Sequence, residues 1–187
     1  GKLATPSDKW AIDGTVLEQD HQLYFIWSGW KGNVNDAQHL YIAEMESPTR
    51  LKGKRVRISS PERDWELRSG PARKDGLKMP LINEGPQVLQ RNGRTFIFYS
   101  ASGSWTDHYC LGMLEMVGSD PMKPSAWKKH PESVFASTSD VIAPGHASFT
   151  TSLNGEEDWI VYHAAKHRGA RWNRQTQWMM GQWRAPP

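Results

Sequence analysis

Glu84-Gly85-Pro86-Gln87-Val88-Leu89, then Gln90-Arg91-Asn92-Gly93-Arg94, then Thr95-Phe96-Ile97-Phe98-Tyr99: this stretch decides the fold. It reads as a short apolar strand, a turn carrying Asn-Gly, and a stronger apolar strand, which together make a β-hairpin. Two further segments follow the same plan. On the N-terminal side, Asp13-Gly14-Thr15-Val16-Leu17 leads through Glu18 to Gln22 into Leu23-Tyr24-Phe25-Ile26-Trp27. On the C-terminal side, Gly145-His146-Ala147-Ser148-Phe149 leads through a turn with Asn154-Gly155 into Asp158-Trp159-Ile160-Val161-Tyr162. The polar leaders Asp13, Glu84 and His146 lie 71 and 62 residues apart, and each stands 14 to 16 residues before the aromatic that closes its second strand. Such recurrence is an internal repeat.

Outward from the hairpins, Gln38 to Met45 and Tyr109 to Met116 read as third strands, ended by turns at Ser47-Pro48 and Asp120-Pro121. Fourth strands are expected at Arg55 to Ser59 and around Val134-Phe135. Four short antiparallel strands in each unit of 60 to 70 residues describe a β-propeller blade. The fold class is therefore all-β, a partial propeller of about three blades occupying residues 1–187 as one domain. A β-sandwich also suits many short strands, but it does not explain a repeat with a polar leader. Equivalent positions of innermost strands converge on a propeller's central channel, so Asp13, Glu84 and His146 are expected to meet there.

Composition agrees with a folded β-domain. Leu, Ile, Val and Phe number only 33 of 187 residues, a share that suggests disorder when net charge is high. Here 23 Lys plus Arg nearly balance 20 Asp plus Glu, and 10 Trp with 5 Tyr replace the missing aliphatic bulk. No apolar run is long enough for a membrane span. The N-terminal GKLATPSDKW has neither an apolar signal region nor an initiator Met, which suggests a processed chain or an excerpt. The single Cys110, between Tyr109 and Leu111, excludes an intramolecular disulfide and reads as a buried structural thiol. The basic run Arg50 to Arg57 is spaced by Leu, Gly and Val like the outer side of a strand, and no nucleic-acid-binding motif accompanies it.

Two carboxylates facing one cleft serve as acid and base in glycosidic bond cleavage, provided one is held protonated and the other ionised. Glu84, followed by Gly-Pro and an apolar strand, is the better acid candidate. Trp27, Trp30 and Trp105 lie in similar WSGW and SGSW segments and are candidates for stacking on sugar rings. His163 and His167 are four apart, but the intervening residues lack the Glu of a zinc protease motif. Neither a nucleophile elbow nor a phosphate-binding loop is present.

AIDG (Ala11 to Gly14), WSGW (Trp27 to Trp30), NEGP (Asn83 to Pro86), YSASGSW (Tyr99 to Trp105), YCLGML (Tyr109 to Leu114), PGH (Pro144 to His146) and DWIVYHA (Asp158 to Ala164) resemble glycoside hydrolase family 43, more narrowly its α-L-arabinofuranosidase-type members. The resemblance runs from about Trp10 to Trp172. It implies a five-bladed propeller, inversion of configuration and three carboxylates. By motif, Glu84 falls on the general acid, Asp13 on the Asp that modulates its pKa, and His146 on a central His associated with calcium through water. Arg174 is a candidate substrate-side cation. The implied partner is an arabinose- or xylose-containing plant cell-wall polysaccharide, and the implied location is extracellular; neither nucleic acid nor membrane is implied.

The chain departs from that pattern at two places. The family's general base lies on an earlier blade, yet only twelve residues precede Asp13, and Asp8 is too near to occupy a separate blade. After Arg171-Trp172-Asn173-Arg174 a second Arg and a closing strand are expected, whereas the sequence runs Gln175-Thr176-Gln177-Trp178-Met179-Met180. The general base is therefore expected to be absent from this chain, and open propeller edges are expected to favour self-association. A non-catalytic carbohydrate-binding fragment, or pseudoenzyme, is the competing reading. A protein-interaction propeller is a third.

Overall fold

The computed structural model describes residues 3, 5–7 and 9–181; Asp8 and the extreme ends of the 1–187 domain lie outside them. Apart from two three-residue 3₁₀ turns, Asp64–Glu66 and Pro124–Ala126, the regular structure among the described residues is entirely strand. The first blade pairs β1 (Ala11–Gln19), β2 (Gln22–Trp30), β3 (Gln38–Ser47) and β4 (Arg50–Ser59) in sequence order. The second does the same with β5 (Asn83–Arg91), β6 (Arg94–Ala101), β7 (Cys110–Met116) and β8 (Trp127–Lys129). A third sheet holds β9 (Ile142–Thr151), β10 (Asp158–Ala165) and β11 (Arg174–Gly181). The inner strands β1, β5 and β9 are successive neighbours. These are three propeller blades.

Blade stacking explains the unbroken apolar character of β6. Ile97, Tyr99 and Ala101 turn toward Leu17, Ile26, Leu40 and Ile42 of the first blade. Phe96 and Phe98 turn the other way and pack with Phe149 of the third. A strand covered on both faces has no polar face to alternate with. Cys110 joins the first of these clusters, and burial pushes its thiol pKa up to about 12.

One expected strand is placed differently, and one segment that departs from the expected pattern proves to be strand. The fourth strand of the second blade is Trp127–Lys129, paired with Leu114, Glu115 and Met116, whereas Phe135 makes only an isolated bridge to Leu111. Trp127 wins the position because its large ring fills the core between the first two blades. The run Gln175 to Met180, which departs from the expected pattern, is nevertheless strand, in register with all of β10. Blades pack face to face, so the outermost sheets leave faces uncovered. Trp178 and Met180, cross-strand partners of Val161 and Trp159, are 68% and 58% exposed on the face turned away from the second blade.

The crossover from the first blade to the second is held by Glu66, which is fully buried. Its carboxylate accepts hydrogen bonds from Asn83 Nδ2 (2.9 Å), Tyr99 OH (2.9 Å) and the backbone N–H groups of Glu62 and Arg63 (both 2.9 Å). It also pairs with Lys129 Nζ at 2.9 Å. Burial alone would raise the Glu66 pKa, but these donors and the Lys129 charge outweigh it and hold the group below the usual range. Removing one partner of a buried pair strands the other charge. Glu66→Ala should therefore cost about 3–5 kcal/mol in urea unfolding. Because the folded-state pKa is depressed, Glu66 stabilises above its unfolded pKa and loses that contribution as pH falls through the folded one. The stability gap between wild type and Glu66→Ala should accordingly narrow on acidification.

Candidate active site

Each inner strand carries a β-bulge opposite an aromatic of its neighbour. The pairing skips residues 13–14 between Ile12↔Ser28 and Thr15↔Ile26, and residues 85–86 between Glu84↔Ser100 and Gln87↔Phe98. In the third blade it skips residues 146–147 between Gly145↔His163 and Ser148↔Val161. The first skipped residue has positive φ in all three: Asp13 at 57°, Gly85 at 56° and His146 at 52°. The structural equivalents are thus Asp13, Gly85 and His146, and Glu84 sits one position earlier, level with Ile12 and Gly145. The one-residue offset was invisible in the repeat, because a bulge changes spacing without changing composition. Non-glycine residues rarely adopt this backbone, and strain of this kind concentrates at functional sites.

The bulges bring the three expected leaders together. Asp13 Oδ2 accepts the Gly85 N–H at 3.0 Å, and Asp13 Oδ1 lies 3.8 Å from His146 Nε2. Glu84 Oε1 accepts the Tyr109 hydroxyl at 2.8 Å. Gly85 supports this closeness, since a Cβ there would stand 3.2 Å from the His146 ring. The expected Arg174 also joins the group. Its guanidinium lies 5.1 Å from the centre of the Tyr109 ring and donates to the carbonyls of Ser104 (3.0 Å) and Ala143 and to His163 Nδ1.

Burial is the main cause that raises the Glu84 pKa, and the Asp13 charge adds to it. The Tyr109 hydrogen bond, His146 and Arg174 oppose, but the net shift is upward. His163 is pushed down to about 4 by burial and by the charges of Arg174 and His146. It is therefore a neutral ring near pH 7 and accepts from Arg174. The arrangement holds one carboxyl toward its protonated form with a second carboxylate beside it, which suits proton donation to a leaving oxygen.

The tryptophans divide. Trp27 is buried (5% exposed) between Phe25 and Tyr41 on the first blade's outward face, so the structure does not bring it to the central cluster. Its place opposite the bulge is a packing position, like that of Tyr99 in the second blade. Trp30 stacks on Trp10 with ring centroids 4.6 Å apart. Trp105 donates its indole N–H to Ser69 O (2.7 Å) and follows Ser104, whose carbonyl holds Arg174. Tyr109 and His163 are members of the cluster that the sequence did not place there, His163 having been weighed only as a metal ligand with His167. One opens an apolar run and the other ends a strand, and nothing in their spacing marks them.

A calcium ion prefers a cage of oxygen ligands. Among the described residues no group of three or more His, Cys, Asp or Glu is arranged to hold a metal. The described side chains therefore supply no direct cage.

Three blades with a carboxyl cluster where the inner strands converge make part of a β-propeller. The chain belongs to the glycosyl hydrolases family 43, whose profile it matches over residues 1–186. It is 35% identical over 171 residues to an extracellular exo-α-(1→5)-L-arabinofuranosidase of Streptomyces chartreusis, covering 90% of this chain and 49% of that protein. It is also 35% identical to α-L-arabinofuranosidase 43 of Humicola insolens, covering 90% of this chain and 34% of that one. In structure it is similar to an α-L-arabinofuranosidase from Lactobacillus brevis, with a TM-score of 0.82 and 36% identity, over 98% of this chain and 56% of that one. The chain thus spans about half or less of the length of these curated relatives.

If Asp13 helps to hold Glu84 protonated, Asp13→Asn should lower the Glu84 midpoint while leaving an oxygen to accept the Gly85 N–H. Arg174→Met should raise it. Carboxyl ¹³C NMR titration, with Glu84→Gln for assignment, reads both directions.

Proposed function

We propose that this chain carries the acid half of a family 43 glycosidase site, acting on α-L-arabinofuranosyl or related xylosyl linkages of plant cell-wall polysaccharides. The observation that carries this reading is the Glu84 carboxyl, raised in pKa by burial and by Asp13, at the convergence of the inner strands. Glu84 is the general acid and Asp13 its modulator. Inversion requires a base that activates water on the opposite face of the sugar. That base lies outside this chain in our reading. Arg174 and Trp105 form the substrate-side wall, with His146 beside them. A calcium ion at the centre would be held by water molecules between it and His146. The arabinofuranosidase names of the relatives support the substrate class, and the name "extracellular" of the Streptomyces protein supports secretion.

The test adds the N-terminal part of a relative's catalytic domain before Trp10 and measures release of arabinose from arabino-oligosaccharides. Glu84→Gln in that protein should cut turnover at least 100-fold when the leaving group is unactivated. Undiminished turnover would sink the assignment. Activity should also fall as pH rises through the raised Glu84 pKa, because only the protonated carboxyl donates, and Asp13→Asn should move that limb to lower pH.

A second reading is a non-catalytic carbohydrate-binding protein, or pseudoenzyme. In it, the 187 residues bind arabino-oligosaccharides without hydrolysing them. Calorimetry showing binding, beside an assay showing no sugar release even in the extended protein, would select it. Self-association is proposed at the open propeller edges, where the face of the third blade exposes Trp178 and Met180.

A further inference from the structure

Tyr109 occupies a place prepared for it by three strands. It is fully buried. His163 on β10 lies parallel to its ring, with centroids 5.8 Å apart and planes 8° apart. The Arg174 guanidinium on β11 stands 5.1 Å from the ring centre. On β9, Gly145 is the residue level with Glu84, and any side chain there is excluded. A Cβ on Gly145 would fall 2.1 Å from Tyr109 Cε1. The ring can therefore neither tilt nor slide, and its hydroxyl lies 2.8 Å from Glu84 Oε1. Burial and the neighbouring carboxylate hold the phenol well above its ordinary pKa, so it remains a donor.

Resting on the assignment of Glu84 as the acid, we propose that Tyr109 is a positioning residue that fixes which oxygen of Glu84 gives up the proton. A phenol that donates to Oε1 leaves Oε2 to carry the acidic hydrogen. With the ring confined by His163, Arg174 and Gly145, the oxygen of Glu84 that it bonds is set. Proton transfer is sensitive to such geometry, since the donor must lie within hydrogen-bond reach of the leaving oxygen. Tyr109 acts through Glu84 and needs no contact with substrate. The bonding around Glu84 continues into the bulge of the third blade: Ser100 Oγ, on the cross-strand partner of Glu84, accepts the His146 N–H at 2.7 Å. The charged and titratable groups facing Glu84 are Asp13 from β1, His146 from β9 and Arg174 from β11. Tyr109 is the group that bonds it directly, with His163 of β10 stacked behind.

The test follows the Glu84 carboxyl by ¹³C NMR in the 187-residue chain, which needs no enzymatic turnover. Tyr109→Phe keeps the ring and removes the donor to the carboxylate, so the midpoint should rise by about one pH unit, a tenfold gain in proton affinity. A midpoint unchanged within experimental error would show that Tyr109 only fills space, and would overturn the proposal. Should Tyr109→Phe fail to fold, 3-fluorotyrosine placed at position 109 retains the ring and makes the hydroxyl a stronger donor. The midpoint should then fall, and an unchanged value would again overturn the proposal. These outcomes are separate from the role of Glu84 as acid: full turnover in Glu84→Gln would refute that role whatever the carboxyl titration gives.

Discussion

The structure depends on the buried carboxylate of Glu66. It stands in the crossover between the first two blades and draws together a strand of the inner ring, a strand of the middle and the outermost strand of the second blade. Asn83, Tyr99 and Lys129 meet on it, and two backbone N–H groups of its own turn complete its shell. A buried ion is costly unless every lone pair is used, and here the donors are sufficient to keep the group ionised. The blades meet through side chains rather than through a shared backbone ladder, so each hydrogen bond between them depends on a particular residue. Through Asn83, which also bonds Ser28 and Ser59, this hub reaches the first blade and sets the two sheets' relative position directionally, as apolar contact does not.

That position is passed directly to the site. Asn83 is held by Glu66 on one side and by Ser59 (2.8 Å) and Ser28 (2.9 Å), both of the first blade, on the other. Glu84 follows it in the chain. The acid candidate is thus anchored by its neighbour, while its own side chain is left for Tyr109 and the cleft. Asp13 comes from the first blade and His146 and Arg174 from the third. The pKa of Glu84 consequently reflects the packing of three sheets together, and a change in any blade interface reaches it through distance alone.

The sequence carried the architecture well and the chemistry unevenly. Hairpins in Asp13 to Trp27, Glu84 to Tyr99 and Gly145 to Tyr162 were readable because apolar strands separated by short polar turns, Asn-Gly in the second and third, are local signals. The fourth strand of the second blade was not, since Trp127–Lys129 is only three residues long and its pairing partner Met116 is supplied across a turn. Trp27 looked like a sugar platform and proved to be core. An aromatic's residue type does not reveal which face of a sheet it occupies, and Trp27 shares the face of Phe25 and Tyr41 while Ile26 faces the second blade. Tyr109 and His163 were passed over for the converse reason: their importance lies in what stands opposite them.

Sequence alone determined that this chain makes repeated β-units, that each begins with a polar residue beside or near glycine, and that the motifs carrying those residues resemble one hydrolase family. These are properties of neighbours in the chain, set by strand and turn preferences and by residue type. Tertiary structure decided that Glu84 is one residue out of step with Asp13 and His146, that its carboxyl is held by Tyr109, and that Arg174 closes the group from the third blade. Those facts depend on where bulges fall and on how three sheets stack. A hydrogen bond between residues 25 positions apart, or a charge contributed 90 positions away, leaves no local trace because it exists only once the blades have packed.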